Sequence, residues 1–325
     1  MMRPGNTGDR VAGVSLIELM VALAIGLVLI GGAIATYLKA RDTFAATEAA
    51  ARLQENARYA LSLIETDVRM AGFWGLNNRP DLIRSNANSA FPAACGPAWT
   101  TDVTNYLTGY NDAYVAPCAA LGGGAQPNAD VLIVRRASAQ RITPQSASVG
   151  AANRDRVLIV TSRVAGEIFV PKDLANAIPP GFATSDPSGA PPLADTRELL
   201  VDAYYVSRNS SVAKGYPALR RKHLVAGPSL ADEELVPGVE DLQFQVGVDT
   251  SGDGSADRFV DPGTVLAGST PVAVRIWLRV RAQDRDPAYT GPQAFDSAGH
   301  SVSLGDDHFR RLLIVKTLQL RNAGA

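Results

Sequence analysis

From Leu19 to Leu38 the chain runs for 20 residues without a formal charge. At about 1.5 Å of rise per residue, a helix of that length reaches about 30 Å, the thickness of a bilayer's hydrocarbon core. Such a run must be buried in lipid or against other helices, and no second run of comparable length follows. The sequence therefore predicts one crossing or one anchor, with the rest of the chain beyond it. A cleavable secretory signal fits less well, because its apolar region is shorter and ends in a small-residue cleavage site. Here "GGAIATYLKARD" leads on into a helical pattern, and neither Gly nor Pro occurs between Lys39 and Gly72. Ala57, Leu61, Ile64 and Val68 fall at helical spacing, with Arg58, Glu65 and Arg69 between them. One long helix is predicted, apolar all round in its first half and amphipathic in its second. Adjacent Gly31 and Gly32 are its weak point, each costing about 1 kcal/mol relative to Ala.

Glu18 sits at the edge of this run. A carboxylate in an apolar setting is costly unless a cation pairs with it, and an ionisable residue at membrane depth points to function. No Lys or Arg lies within helical reach of Glu18, so its partner is expected from outside its own chain. A cut after Gly13 would create an α-amine at Val14, and a neighbouring copy shifted along the axis would present that amine to Glu18.

The stretch "GVSLIELMVAL" resembles the leader junction of type IV prepilins and pseudopilins. That pattern has a short basic leader, Gly at −1, an apolar residue at +1 and Glu at +5. Gly13, Val14 and Glu18 occupy those places, with Val14 where the family most often has Phe, and Arg3 and Arg10 supply the basic leader. The resemblance implies cleavage between Gly13 and Val14 by prepilin peptidase, methylation of Val14, and an assembly role for Glu18. Charge alone leaves the orientation open, because basic residues flank both ends of the span. The leader motif places the N-terminus inside.

The remainder reads as a loop-rich globular body. The 325 residues include 29 Gly and 20 Pro, yet 46% are hydrophobic, too many for a disordered chain. The net charge of −1 gives no footprint for nucleic acid. Strands are predicted at Asp130–Ala137, Arg156–Ser162, Arg197–Ser207, Glu240–Val248, along "VAVRIWLRVRA", and near the C-terminus in "RRLLIVKTLQLRN". In "VAVRIWLRVRA" the alternation sends Val272, Val274, Ile276, Leu278, Val280 and Ala282 one way. It sends Arg275, Trp277, Arg279 and Arg281 the other, onto a solvated outer face. Pro171–Pro192 reads as a long loop. Cys95 and Cys118, the only cysteines, are expected to form a disulfide in an oxidising periplasm.

In "DTSGDGSAD" the residues Asp249, Ser251, Asp253 and Asp257 stand at positions 1, 3, 5 and 9 of a calcium-loop pattern, with Gly254 at the sixth. Position 12 is Val260 rather than Glu, and the flanks read as strands. Calcium and an Asp/Gly-rich turn both remain open. His223, His300 and His308 have no metal-ligand spacing, no nucleotide or hydrolase motif occurs, and the pair Asp306–Asp307 reads as a solvated turn. No enzyme is predicted.

The phrases "ENARYALSLIETDVRMAGFWG", "GVDTSGDGSADRFV" and "FRRLLIVKTLQLRN" resemble the PilW family of type IV pilus assembly proteins. Residues 82–192 carry no resemblance. The likeness implies an α+β, pilin-like fold, with a long N-terminal membrane-spanning helix packed on an antiparallel β-sheet that bears long loops. Its parts would be a leader at 1–13, a membrane and filament-core helix at 14–38, an amphipathic continuation at 39–72, and a periplasmic domain at 73–325. The implied function is that of a minor pilin in type IV pilus initiation and assembly, twitching motility and adhesion. It would sit in the inner membrane as a single-pass protein and enter the pilus at the cell surface. Implied partners are prepilin peptidase, other minor pilins, the major pilin, a pilus-tip adhesin and the inner-membrane assembly platform, with no nucleic acid. Two alternatives remain open: a minor pseudopilin of type II secretion or DNA uptake, and a singly anchored periplasmic metal-binding protein or enzyme.

Overall fold

The computed structural model describes residues 13, 15–96, 98–142, 153–182, 194–264, 269–290 and 293–322. The leader residues 1–12, Val14, and residues 183–192 of the Pro171–Pro192 loop lie outside the described residues. The chain divides into two compact units, Met1–Ala51 and Arg52–Ala325. One helix, α1 (Leu16–Arg69), contributes to both.

In the first unit the large apolar side chains of α1 from Leu16 to Phe44 are exposed. Among the described residues α1 is the one helix long and apolar enough to cross a membrane. In the second unit α1 turns amphipathic as predicted. Leu53, Ala57, Ala60, Leu61, Ile64 and Val68 are buried along one stripe. Burying a side chain such as Leu61 or Ile64 contributes about 1.5–3 kcal/mol. The helix stops just before Gly72, whose φ of +74° favours glycine and whose absent Cβ would lie 3.2 Å from the Tyr106 ring.

The stripe packs on strands of two sheets. The larger sheet holds eight strands. They are β1 (Ile83–Ser85), β2 (Leu107–Tyr110), β3 (Val131–Arg141), β4 (Leu158–Thr161), β5 (Gly166–Phe169), β6 (Asp195–Ser207), β7 (Ala218–Val225) and β8 (Ser229–Pro237). The smaller contains β9 (Val239–Asp249), β10 (Arg258–Val260), β11 (Thr270–Arg281) and β14 (Arg311–Gln319), in the order β10–β9–β11–β14. Strands β12 (Gln293–Ser297) and β13 (His300–Leu304) form a separate hairpin. The expected α+β plan of a long helix on antiparallel strands is present. It differs from the expectation in having two main sheets rather than one, and a parallel β1–β5 pair.

The central strands explain why the larger sheet reads as nearly continuous apolar runs. On β3, Leu132 and Val134 face the core shared with α1, the smaller sheet, Tyr204 and Val206. Val131 and Ile133 face a second core with Trp74, Trp99, Leu199 and Tyr205. A sheet covered on both faces loses its polar alternation. Strands β7 and β8 escaped the sequence reading for the opposite reason. They are joined by Arg220–Asp232, Arg221–Glu233 and Lys222–Asp232 ion pairs, so their cross-strand pairing is largely ionic.

One charge lies on the buried stripe of α1. Asp67 accepts from Arg136 Nε at 2.9 Å and from the Tyr204 hydroxyl. Asp202, buried beside them, has its carboxyl pushed up to about 7, first by burial and then by the charge of Asp67. At the surface Lys316 Nζ reaches Glu65 at 2.6 Å. Both contacts hold the end of α1 against strands.

The arginine face of β11 departs from expectation. Arg279 is buried and pairs with Glu240 at 3.2 Å and Asp241 at 3.1 Å. Arg281 lies against the Phe309 ring at 4.3 Å, and Arg275 over Phe259 at 3.9 Å. Residues from β10, β12 and the segment before β14 lie against this face, so it is not a solvated exterior. Asp307 is likewise no free turn residue. It accepts from Arg311 at 2.6 and 2.8 Å, and that bonding holds its carboxyl at about 2.

Candidate processing and assembly site

The N-terminus of α1 is built by four residues, "SLIE". Ser15 precedes the helix, and its carbonyl accepts the first helical bond from Leu19 N–H at 3.2 Å. Its hydroxyl accepts Glu18 N–H at 3.3 Å, while Glu18 Oε2 accepts Ser15 N–H at 3.0 Å. This is a reciprocal capping box, which satisfies two of the backbone donors that every helix start leaves open. The carboxylate also lies at the positive end of the helix dipole. The expectation that Glu18 lacks a partner in its own chain is therefore corrected: it has Ser15. The Ser-x-x-Glu spacing carries that signal in the sequence. Val14 lies outside the described residues, while the amide of the next residue already touches the Glu18 carboxylate.

Gly13 has an open surrounding. Among the described residues a Cβ there would meet nothing within 4 Å, and its φ is not in the left-handed region. Gly31 and Gly32 are also open. Gly109 shows the contrast, since a Cβ there would fall 2.0 Å from the Val131 carbonyl and 2.7 Å from Phe244. The described residues demand glycine at 109 but place no demand at 13.

The remaining candidate residues lie in the second unit. Cys95 and Cys118 are joined by a disulfide with a Cα–Cα distance of 4.5 Å. The loop it closes is tied to β6, where the Tyr114 and Tyr205 rings meet edge to face at 5.1 Å.

The Asp249 loop connects β9 to β10. Asp249 accepts Gly252 N–H at 2.6 Å, Gly254 N–H at 2.7 Å and Ser251 N–H at 3.0 Å. Those amides, Gly254's foremost, hold its carboxyl below the usual range. Asp257 accepts the Thr250 hydroxyl and N–H, each at 2.7 Å, and Ser251 N–H at 2.9 Å. The Thr250 hydroxyl is the main reason its carboxyl is lowered. Asp253 accepts Ser255 N–H at 2.8 Å. Gly252 and Gly254 take φ near +80°, the conformation a tight turn requires. Among the described residues no three His, Cys, Asp or Glu side chains gather as a metal cluster.

Comparison with known families gives two matches. Residues 203–322 match the family model of the Type IV Pilus-assembly protein W. Residues 9–34 match the Prokaryotic N-terminal methylation motif, which contains Gly13, Val14 and Glu18. No curated protein and no solved structure matches.

Proposed function

The chain is a prepilin-like protein of the PilW family, and from that premise we propose that it is a minor pilin acting in the initiation of a type IV pilus. Its general place is that of a membrane-anchored component of pilus assembly, processed by prepilin peptidase. The finer reading is ours. Prepilin peptidase cuts between Gly13 and Val14, Val14 is methylated, and Glu18 receives the amine of an adjoining subunit as the filament starts. The protein sits in the inner membrane with a periplasmic body. Its neighbours are other minor pilins and the major pilin, and twitching and adhesion depend on it through the pilus.

The observation that carries this reading is the open space at Gly13. A glycine that the described residues do not crowd, two residues before the cap of a helix whose first half is apolar and exposed, is explained by a site that an external enzyme must enter. The capping box supports the assembly role as well, because it holds the Glu18 carboxylate close to the cut. The experiment is deletion of the gene, scored by surface pili in shear preparations and by twitching. The intact gene should restore both, and a Gly13→Glu copy should restore neither. Normal piliation of the deletion strain would refute an initiating role.

A further inference from the structure

Strand β6 is flanked along one edge by β3. Along its other edge β4 pairs with Asp195–Glu198 and β7 with Asp202–Ser207, so these two strands meet end to end opposite residues 199–201. A cleft of about 290 Å³ opens at this fork, lined by Arg136, Arg156, Glu198, Asp202, Arg221 and His223 among others. That volume is at the low end for small-molecule sites.

Three guanidinium groups converge there, each already meeting a carboxylate. Arg136 meets Asp67, Arg156 meets Glu198, and Arg221 meets Glu233 at 2.5 Å and Asp202 at 3.5 Å. A guanidinium carries five N–H donors, so one carboxylate does not exhaust it. Arg156 and Arg221 keep 41% and 30% of their side chains exposed. Of the acids, Asp202 keeps only 6% of its side chain exposed, while Glu198 keeps 27% and Glu233 44%. The second observation concerns His223. Among the described residues its Nδ1 is buried with no hydrogen-bond partner, and the nearest acidic oxygen, on Glu233, is 3.9 Å away. A buried polar atom without a partner is rare in a folded protein. The His223 residue lines the cleft.

We propose that the fork between β4 and β7 binds a small anion through a carboxylate or phosphate group, held by Arg156 and Arg221 and hydrogen-bonded by His223 Nδ1. Guanidinium groups suit this chemistry because their planar N–H pairs match both oxyanions. The site does not depend on Gly13 or Glu18, and stands or falls apart from the pilus reading.

The test is calorimetric titration of the full chain in detergent micelles. One arm uses inorganic phosphate, a second uses succinate, and a third uses potassium chloride at matched ionic strength. Saturable binding of phosphate or of succinate is expected, and the arm that binds identifies the anionic group. Arg156→Gln and His223→Gln should each weaken binding by about tenfold, the scale of one lost charge-assisted hydrogen bond. Arg275→Gln, on the smaller sheet, should leave it unchanged. Circular dichroism melting checks the fold of each variant, and His223→Gln decides the matter where Arg156→Gln melts early. The proposal is overturned by three results: no saturable heat with either anion, heat that potassium chloride reproduces, or binding that folded variants leave intact.

Discussion

Glu18 has two jobs that one substitution can separate. Inside its own chain it accepts Ser15 N–H at 3.0 Å and completes the cap of α1. Between chains it is proposed to meet an amine. Glu18→Gln keeps a carbonyl oxygen that can serve the cap, since Gln is accepted at this position of a capping box. It removes the charge that would draw an amine. Losing an N-cap side chain costs about 1 kcal/mol, roughly a fivefold rise in fraying. In a helix of 54 residues that loss is confined to the first turn. A pair of unit charges 4 Å apart attracts by about 4 kcal/mol at an effective dielectric of 20, before desolvation is subtracted. Before desolvation, the charge outweighs the cap by severalfold. Glu18→Gln should fail to restore surface pili in the deletion strain about as completely as Glu18→Ala. Ser15→Ala should restore most of them. All three should be cleaved at Gly13, which N-terminal sequencing of the membrane-bound protein reads directly. The reasoning is refuted by the reverse order, with Glu18→Gln piliated like the parent and Ser15→Ala bare, because the carboxylate would then matter only as a cap.

Four other outcomes follow from the structure. Gly13→Glu should leave an uncleaved chain with an unchanged melting curve, because nothing in the fold crowds position 13; sequencing and circular dichroism check the two halves. Replacing both Cys95 and Cys118 by Ser should lower stability by about 3 kcal/mol on the loop-closure estimate, read as a shift in the urea midpoint. At the Asp249 loop, turn amides already occupy the carboxylates, so melting should be equal in calcium and in chelator; a calcium-dependent rise lost in Asp249→Ala and Asp253→Ala would establish the cation instead. Asp202 and Asp130 both have carboxyls raised to about 7, chiefly by burial. Their contribution is full below the unfolded value near 4 and is lost as pH rises through about 7. Urea midpoints between pH 5 and pH 8 should therefore decline less steeply in Asp202→Asn.

The long helix, its change from all-round apolar to amphipathic, and the strands β3, β6, β9, β11 and β14 were legible in the sequence, while burial shows the buried stripe beginning at Leu53 rather than at residue 39. Each rests on local periodicity, which burial imposes residue by residue. The Gly13–Val14–Glu18 motif was legible too, because a processing enzyme reads a linear segment. Ser15 was equally legible as the first residue of Ser-x-x-Glu, a motif in which the partner of Glu18 is a backbone amide rather than a cation.

Tertiary structure decided the rest. The arginines of β11 alternate like a solvated face, but residues distant in sequence bring Glu240, Asp241, Phe295 and Phe309 against them. No local pattern marks Asp67 as buried; β3 and β6 supply its partners Arg136 and Tyr204, 69 and 137 residues away. The fork at β6 exists only because two strands share one edge, a matter of sheet order. Periodicity states which side of an element is buried; what lies against that side depends on long-range pairing, and no local pattern encodes it.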